Sequence, residues 1–208
     1  MTETTNMTEL QAINYILNQI NSPAVTAPEV GMPDYDAAVA RLEEASSWVQ
    51  KRGWWFNTET SVVLTPETDG TIILPTNLMK ILTASSGFML DRSGLAYDAN
   101  TQSTDFSAYS SVNVDWVLLQ PWENLPQTAQ DVIRMAAAQE MITIELEDMR
   151  KADALTNKYQ EAYVEMKKDD LEVKKRSIAY NPAFIITRGG VRPNRTGGIF
   201  PSGNNLGR

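Results

Sequence analysis

Neither cysteine nor histidine occurs anywhere in the 208 residues of this chain. Without cysteine there are no structural disulfides, no iron–sulfur ligands and no thiol nucleophile; without histidine the commonest general base and metal ligand are gone. Ser-His-Asp triads, Cys-His pairs and histidine-containing zinc sites are excluded, which leaves carboxylate-only, lysine-based or magnesium chemistry. Also missing is any apolar run near the roughly 18–20 residues of a membrane span, and the polar N-terminus lacks the apolar centre of a signal sequence. The expectation is a soluble chain made in the cytosol, with no membrane insertion. Its length suits one domain with an insertion, or two small domains.

Basic residues are sparse outside the C-terminal end. Residues 171–208 hold seven Lys and Arg against the single acid Glu172, a charge of +6, so the remainder carries −14 and the whole chain −8. An acidic body with a basic, glycine-rich tail is a bipartite object. Such a body repels nucleic acid at long range, which argues against a sequence-specific DNA reader.

What is present is organised by period. Thr8 and Gln11 have capping-box spacing, and Leu10, Ile13, Leu17 and Ile20 then predict a short amphipathic helix ending before Asn21-Ser-Pro23. After a proline-rich connection a second helix begins near Asp34, with Val39, Leu42, Ala45 and Val49 along one face, and stops at Gly53. No loop is expected between that glycine and an aromatic strand opening with Trp54, Trp55 and Phe56. Gly53 permits a left-handed cap, Lys51 and Arg52 suit the helix C-terminus, and the rings supply apolar area. Gly53, Trp54, Trp55 and Phe56 are thus assigned to a structural helix–sheet junction rather than to a binding groove.

Short β-type runs follow at 61–65, 71–74, 79–84, 88–90, 95–98 and 111–119, with turn signals at Asp69-Gly70 and around Ser93-Gly94. They predict one small antiparallel sheet. Residues 99–110, polar and aperiodic, read as an exposed loop. From 124 to about 180 the pattern is helical. Val132, Ile133, Met141 and Ile144 line its first half and Leu155, Tyr159, Tyr163 and Met166 its second, with one break in the charged run 145–153. The expected fold class is α+β: an antiparallel four-helix bundle (8–53 and 124–180), a small antiparallel β insertion (54–122) between helices 2 and 3, and an extended basic C-terminal arm (181–208). In that arm Phe184, Ile185, Ile186, Ile199 and Phe200 are apolar anchors beside Arg188, Arg192 and Arg195, a composition for ordering against another surface.

Chemistry is thinly represented. Glu145, Glu147, Asp148 and Asp153 read as a solvated face, and Gly189-Gly190 and Gly197-Gly198 fit neither phosphate-binding fingerprint. No catalytic, cofactor-binding or metal-ligating residue is assigned. A carboxylate-based hydrolase acting on cell-surface polysaccharide remains an alternative by residue count, as does a helical scaffold.

The order of these elements and several local words resemble a known family. Ala12-Ile-Asn-Tyr-Ile-Leu17, Pro23-Ala-Val25, the acidic helix start at Asp34 and Asp36, Gln50-Lys-Arg-Gly-Trp54 and Phe56-Asn-Thr-Glu59 are similar to the tail tubular protein A family. These are the head-to-tail adaptor, gatekeeper-type proteins of short-tailed, podovirus-type bacteriophages. The likeness continues in Leu64-Thr-Pro66, Ile73-Leu-Pro75, the segment from Asp91 to Tyr97, and Leu125-Pro126, spanning about residues 8–180. It implies a virion structural protein and no enzyme: a dodecameric connector ring between the portal protein and the tail nozzle (tubular protein B), with tail fibres attached nearby. DNA passes through its channel during ejection without sequence-specific binding. The resemblance further implies a portal or a neighbouring subunit as the surface for Phe184, Ile185, Ile186, Arg188, Arg192, Arg195 and Phe200.

Overall fold

The computed structural model of the chain describes residues 6–87, 89–145 and 149–180. In order they form α1 (Glu9–Gln19), α2 (Pro33–Gln50), β1 (Thr58–Leu64), β2 (Leu78–Ala84), β3 (Met89–Arg92), β4 (Leu95–Asp98), β5 (Val112–Leu118), a 3-10 turn (Trp122–Asn124), α3 (Gln127–Glu145) and α4 (Met149–Tyr180). The chain divides into two compact units, Met1–Leu171 and Glu172–Arg208.

Helix α1 starts where its capping box predicts. The Thr8 hydroxyl accepts from the Gln11 amide at 3.2 Å while the Gln11 side chain accepts from the Thr8 amide at 2.9 Å, satisfying two otherwise orphan donors. Helix α2 has Pro33 at its first position, where a missing N–H costs nothing, and Asp34 and Asp36 at the positive end of its dipole. Ile13, Ile16 and Leu17 of α1, Leu42 and Val49 of α2, and Val132, Ile133, Met141 and Ile142 of α3 face one another in the larger hydrophobic core.

A second, smaller core lies under the strands. β5 is central in a three-stranded sheet of order β1-β5-β2, antiparallel throughout. Its alternate residues Val112, Val114, Trp116 and Leu118 point into this core together with Ile72, Leu74, Met89 and Phe106. β3 and β4 form a separate hairpin in which Arg92 pairs with Leu95. Ser93 (φ 58°) and Gly94 (φ 82°) are both left-handed, as a two-residue loop matched to strand twist requires.

The expected architecture is overturned on two counts, although the α+β class stands. First, the four helices do not make a bundle. α1, α2 and α3 approach one another closely, whereas no stretch of α4 runs alongside any of them at comparable backbone distance. Large side chains on α4, among them Leu155, Tyr159, Tyr163 and Met166, bridge a wider gap. Helix length compounds the mismatch: the 32 residues of α4 span about 48 Å and the 19 of α3 about 28 Å. Second, the strands form two sheets rather than one insertion sheet, because 71–74 contributes only an isolated bridge from Ile73 to Leu95. Within the expected loop 99–110, Phe106 is fully buried, its amide bound to the Gly70 carbonyl at 2.7 Å. The expected extended arm at 181–208 lies outside the described residues.

Candidate functional site

Two places gather the residues of interest: the turn between α2 and β1, and a groove among the helices. The passage from helix to sheet is not direct. α2 ends at Gln50 and β1 begins at Thr58, so Trp54, Trp55 and Phe56 stand in a turn instead of opening a strand. The Gly53 amide bonds to the Gln50 carbonyl at 3.0 Å, and the amides of Asn57 and Thr58 both reach the Trp54 carbonyl, at 3.2 and 3.0 Å. Gly53 has φ +81°, and a Cβ there would lie 2.9 Å from Val117 Cγ2, so the helix exit rests on the back of β5.

Trp54 is 5 % exposed. Its indole N–H donates to the Val49 carbonyl at 2.8 Å, its amide donates to Asn57 Oδ1 at 2.8 Å, and its ring meets Tyr163 of α4 edge to face at 5.8 Å. Trp55 and Phe56 are half-buried and pack edge to face at 5.1 Å, while the Trp55 amide donates to Asp170 of α4 at 3.1 Å.

Two buried amides, which the sequence reading missed, lock the turn. The fully buried Gln50 side chain donates to the Gln120 carbonyl at 3.0 Å and accepts from its amide at 2.8 Å. Asn57 donates to the carbonyls of Gln50 and Leu118, both at 3.0 Å. Each amide replaces ladder hydrogen bonds that a regular strand would make, so the end of α2 is tied to the chain leaving β5. The available signal was a glutamine directly after the core residue Val49 and an asparagine directly after three rings, at positions where burial dictates apolar neighbours.

Cations surround this joint. The Arg52 guanidinium lies 4.6 Å from the Trp48 ring centre and 5.4 Å from that of Tyr163, and it donates to the Tyr163 hydroxyl. Lys167 covers Tyr163 at 4.8 Å. Burial pushes the Tyr159 phenol above its ordinary range, with the Arg52 charge pulling the other way. The Tyr159 phenol therefore stays protonated at neutral pH and serves as a packing group. Among the described residues no cluster of acids is placed to hold a metal ion, and Glu145 and Asp153 are exposed. Glu147 and Asp148 lie outside the described residues, as do Phe184, Ile185, Ile186, Arg188, Arg192, Arg195 and Phe200.

The groove lies between α2, α3 and α4, with a volume of about 630 Å³. Ala45 and Trp48 form one wall, Ala136, Thr143 and Ile144 the other, and Tyr159 closes the third side. Trp48 is 51 % and Ile144 52 % exposed, a large apolar area left to water. Gln139 bonds Thr156 of α4 at 3.0 Å, and Arg41 bridges Glu44 at 2.6 Å and Glu140 at 3.2 Å on the rim. This arrangement has the chemistry of a docking surface. A protein-family model described as tail tubular protein matches residues 10–176. No curated protein matches the chain.

Proposed function

The chain belongs to the tail tubular protein family and is a structural protein of a phage tail, and from that membership we propose that it is the head-to-tail adaptor of the virion. In this reading copies of the chain form a ring, dodecameric by resemblance, between the portal protein and the tail nozzle, and DNA leaves through the central channel. The family match over residues 10–176 is the observation that carries it.

Physical features support the reading. A closed ring requires unlike, complementary faces on one subunit, and the chain combines a body of charge −14 with a C-terminal segment of +6. An acidic lumen lets DNA slide, because phosphate affinity comes mainly from cationic contacts. In the same proposal residues 183–208 dock on the portal or on a neighbouring subunit through Phe184, Ile185, Ile186 and Phe200 with Arg188, Arg192 and Arg195, and the two sheets face the nozzle. The test is native mass spectrometry and electron microscopy of the full chain mixed with portal and nozzle proteins of the same virion. Co-assembly into closed rings seated on the portal is expected; a chain that binds neither protein sinks the adaptor role.

A further inference from the structure

We infer that the groove between α2, α3 and α4 receives the outer face of α4 from a second copy of this chain, with Val164 and Leu171 as the inserted side chains. This rests on the homo-oligomeric reading above and adds to it a specific contact.

Val164 is 47 % and Leu171 55 % exposed. Seven residues apart on one continuous helix, they share a face, with Lys168 between them. At about 100° per residue that face is turned some 120–140° from Tyr159, which α4 presents to its own groove. A subunit therefore cannot fill its groove with its own Val164 and Leu171, because the helix would have to show both faces in one direction.

Dimensions and charge match across two copies. The α3 wall from Ala136 to Ile144 is about 12 Å long, and Val164 lies about 10.5 Å along the axis from Leu171. An apolar pair two turns apart, laid into a helix-lined groove, is a recurrent recognition mode. On the rim two carboxylates, Glu44 and Glu140, both pair with Arg41, and the incoming face brings Lys168 midway between its two apolar anchors. Groove and helix face are unlike surfaces on one subunit, so the contact is head-to-tail and repeats from copy to copy, as a ring demands.

Because the chain has no cysteine, site-specific cross-linking tests this directly. Full chains carrying Ile144→Cys alone and Leu171→Cys alone are mixed with portal and nozzle proteins, oxidised, and resolved without reductant. The mixture is expected to give covalent dimers and each variant alone monomers, while the double variant gives a ladder of dimers, trimers and higher species. Leu171→Glu in the otherwise unaltered chain is expected to lower the fraction in rings by about tenfold or more, from a carboxylate buried in the groove. If native mass shows rings but the mixture yields no dimers, this contact is wrong and the ring reading survives. If no oligomer forms under any condition, both fall.

Discussion

Trp54 and Trp55 are adjacent and chemically identical, yet their surroundings assign them different energetic weight. Trp54 is enclosed by the core, bonded through its indole to Val49 and set edge to face against Tyr163, so Trp54→Ala is expected to destabilise by about 3–5 kcal/mol. Trp55 keeps part of its surface in water, and Trp55→Ala is expected to lose about 1 kcal/mol. Urea unfolding of the two variants separates them; equal losses would refute the asymmetry. Glu9 illustrates a different residue-scale effect. Partial burial raises its pKa, and the nearby charges of Glu123 and Glu43 raise it further. A raised folded-state pKa means that the stabilising contribution is complete below the ordinary glutamate range and is lost as pH rises through the folded value. Glu9→Gln should therefore match the parent in acid and melt higher at neutral pH, by a small margin because the side chain is largely solvated. Thermal melts at acid and neutral pH check this, and a neutral-pH variant no more stable than the parent would contradict the charge account.

At the scale of elements, the joint depends on a backbone that comes too close to β5 for any side chain. Gly53→Ala should cost more than about 1 kcal/mol, from the positive φ and from the approach to Val117 Cγ2. In a Val117→Ala background the closest approach is relieved, leaving the dihedral strain and the 3.2 Å approach to Thr58 Oγ1, so the same substitution should cost measurably less. An unchanged penalty would show that packing on β5 does not limit the turn. Elements defined by local rules were legible in advance: the Thr8 cap, the apolar face of α2 from Leu42 to Val49, and the Ser93-Gly94 hairpin all follow from spacings of a few residues. Long-range choices were not. Nothing local states that β5 sits between β1 and β2, that Phe106 pins a polar loop into the second core, or that α4 keeps its distance from the other helices. Polar residues at the junction misled for the same reason. Gln50 and Asn57 resemble surface positions until their backbone partners, some 60 to 70 residues away, are in place. The groove was equally hidden, since Trp48 and Ile144 lie on separate helices.

For the whole molecule, charge and core are distributed differently along the chain, and that difference is testable. Among the described residues, both hydrophobic cores draw their buried side chains from between Ala12 and Met166. Residues 182–208 supply Arg188, Arg192, Arg195 and Arg208 and no acid. Removing them should leave the thermal transition of the body essentially where it was, because every buried core side chain among the described residues is kept. It should at the same time shift the net charge from −8 to −12 and remove both the apolar side chains and the cations proposed to meet a partner. Portal binding by the full chain is then expected to weaken as salt rises, since exposed charges separated by about 10 Å are largely screened at 0.1 M ionic strength. The truncated chain should bind weakly at every salt concentration. Titrations of both forms against the portal over a salt series, paired with calorimetric melts, distinguish the outcomes. A truncated chain that still binds with the parent's salt dependence would move the docking role from the arm to the body.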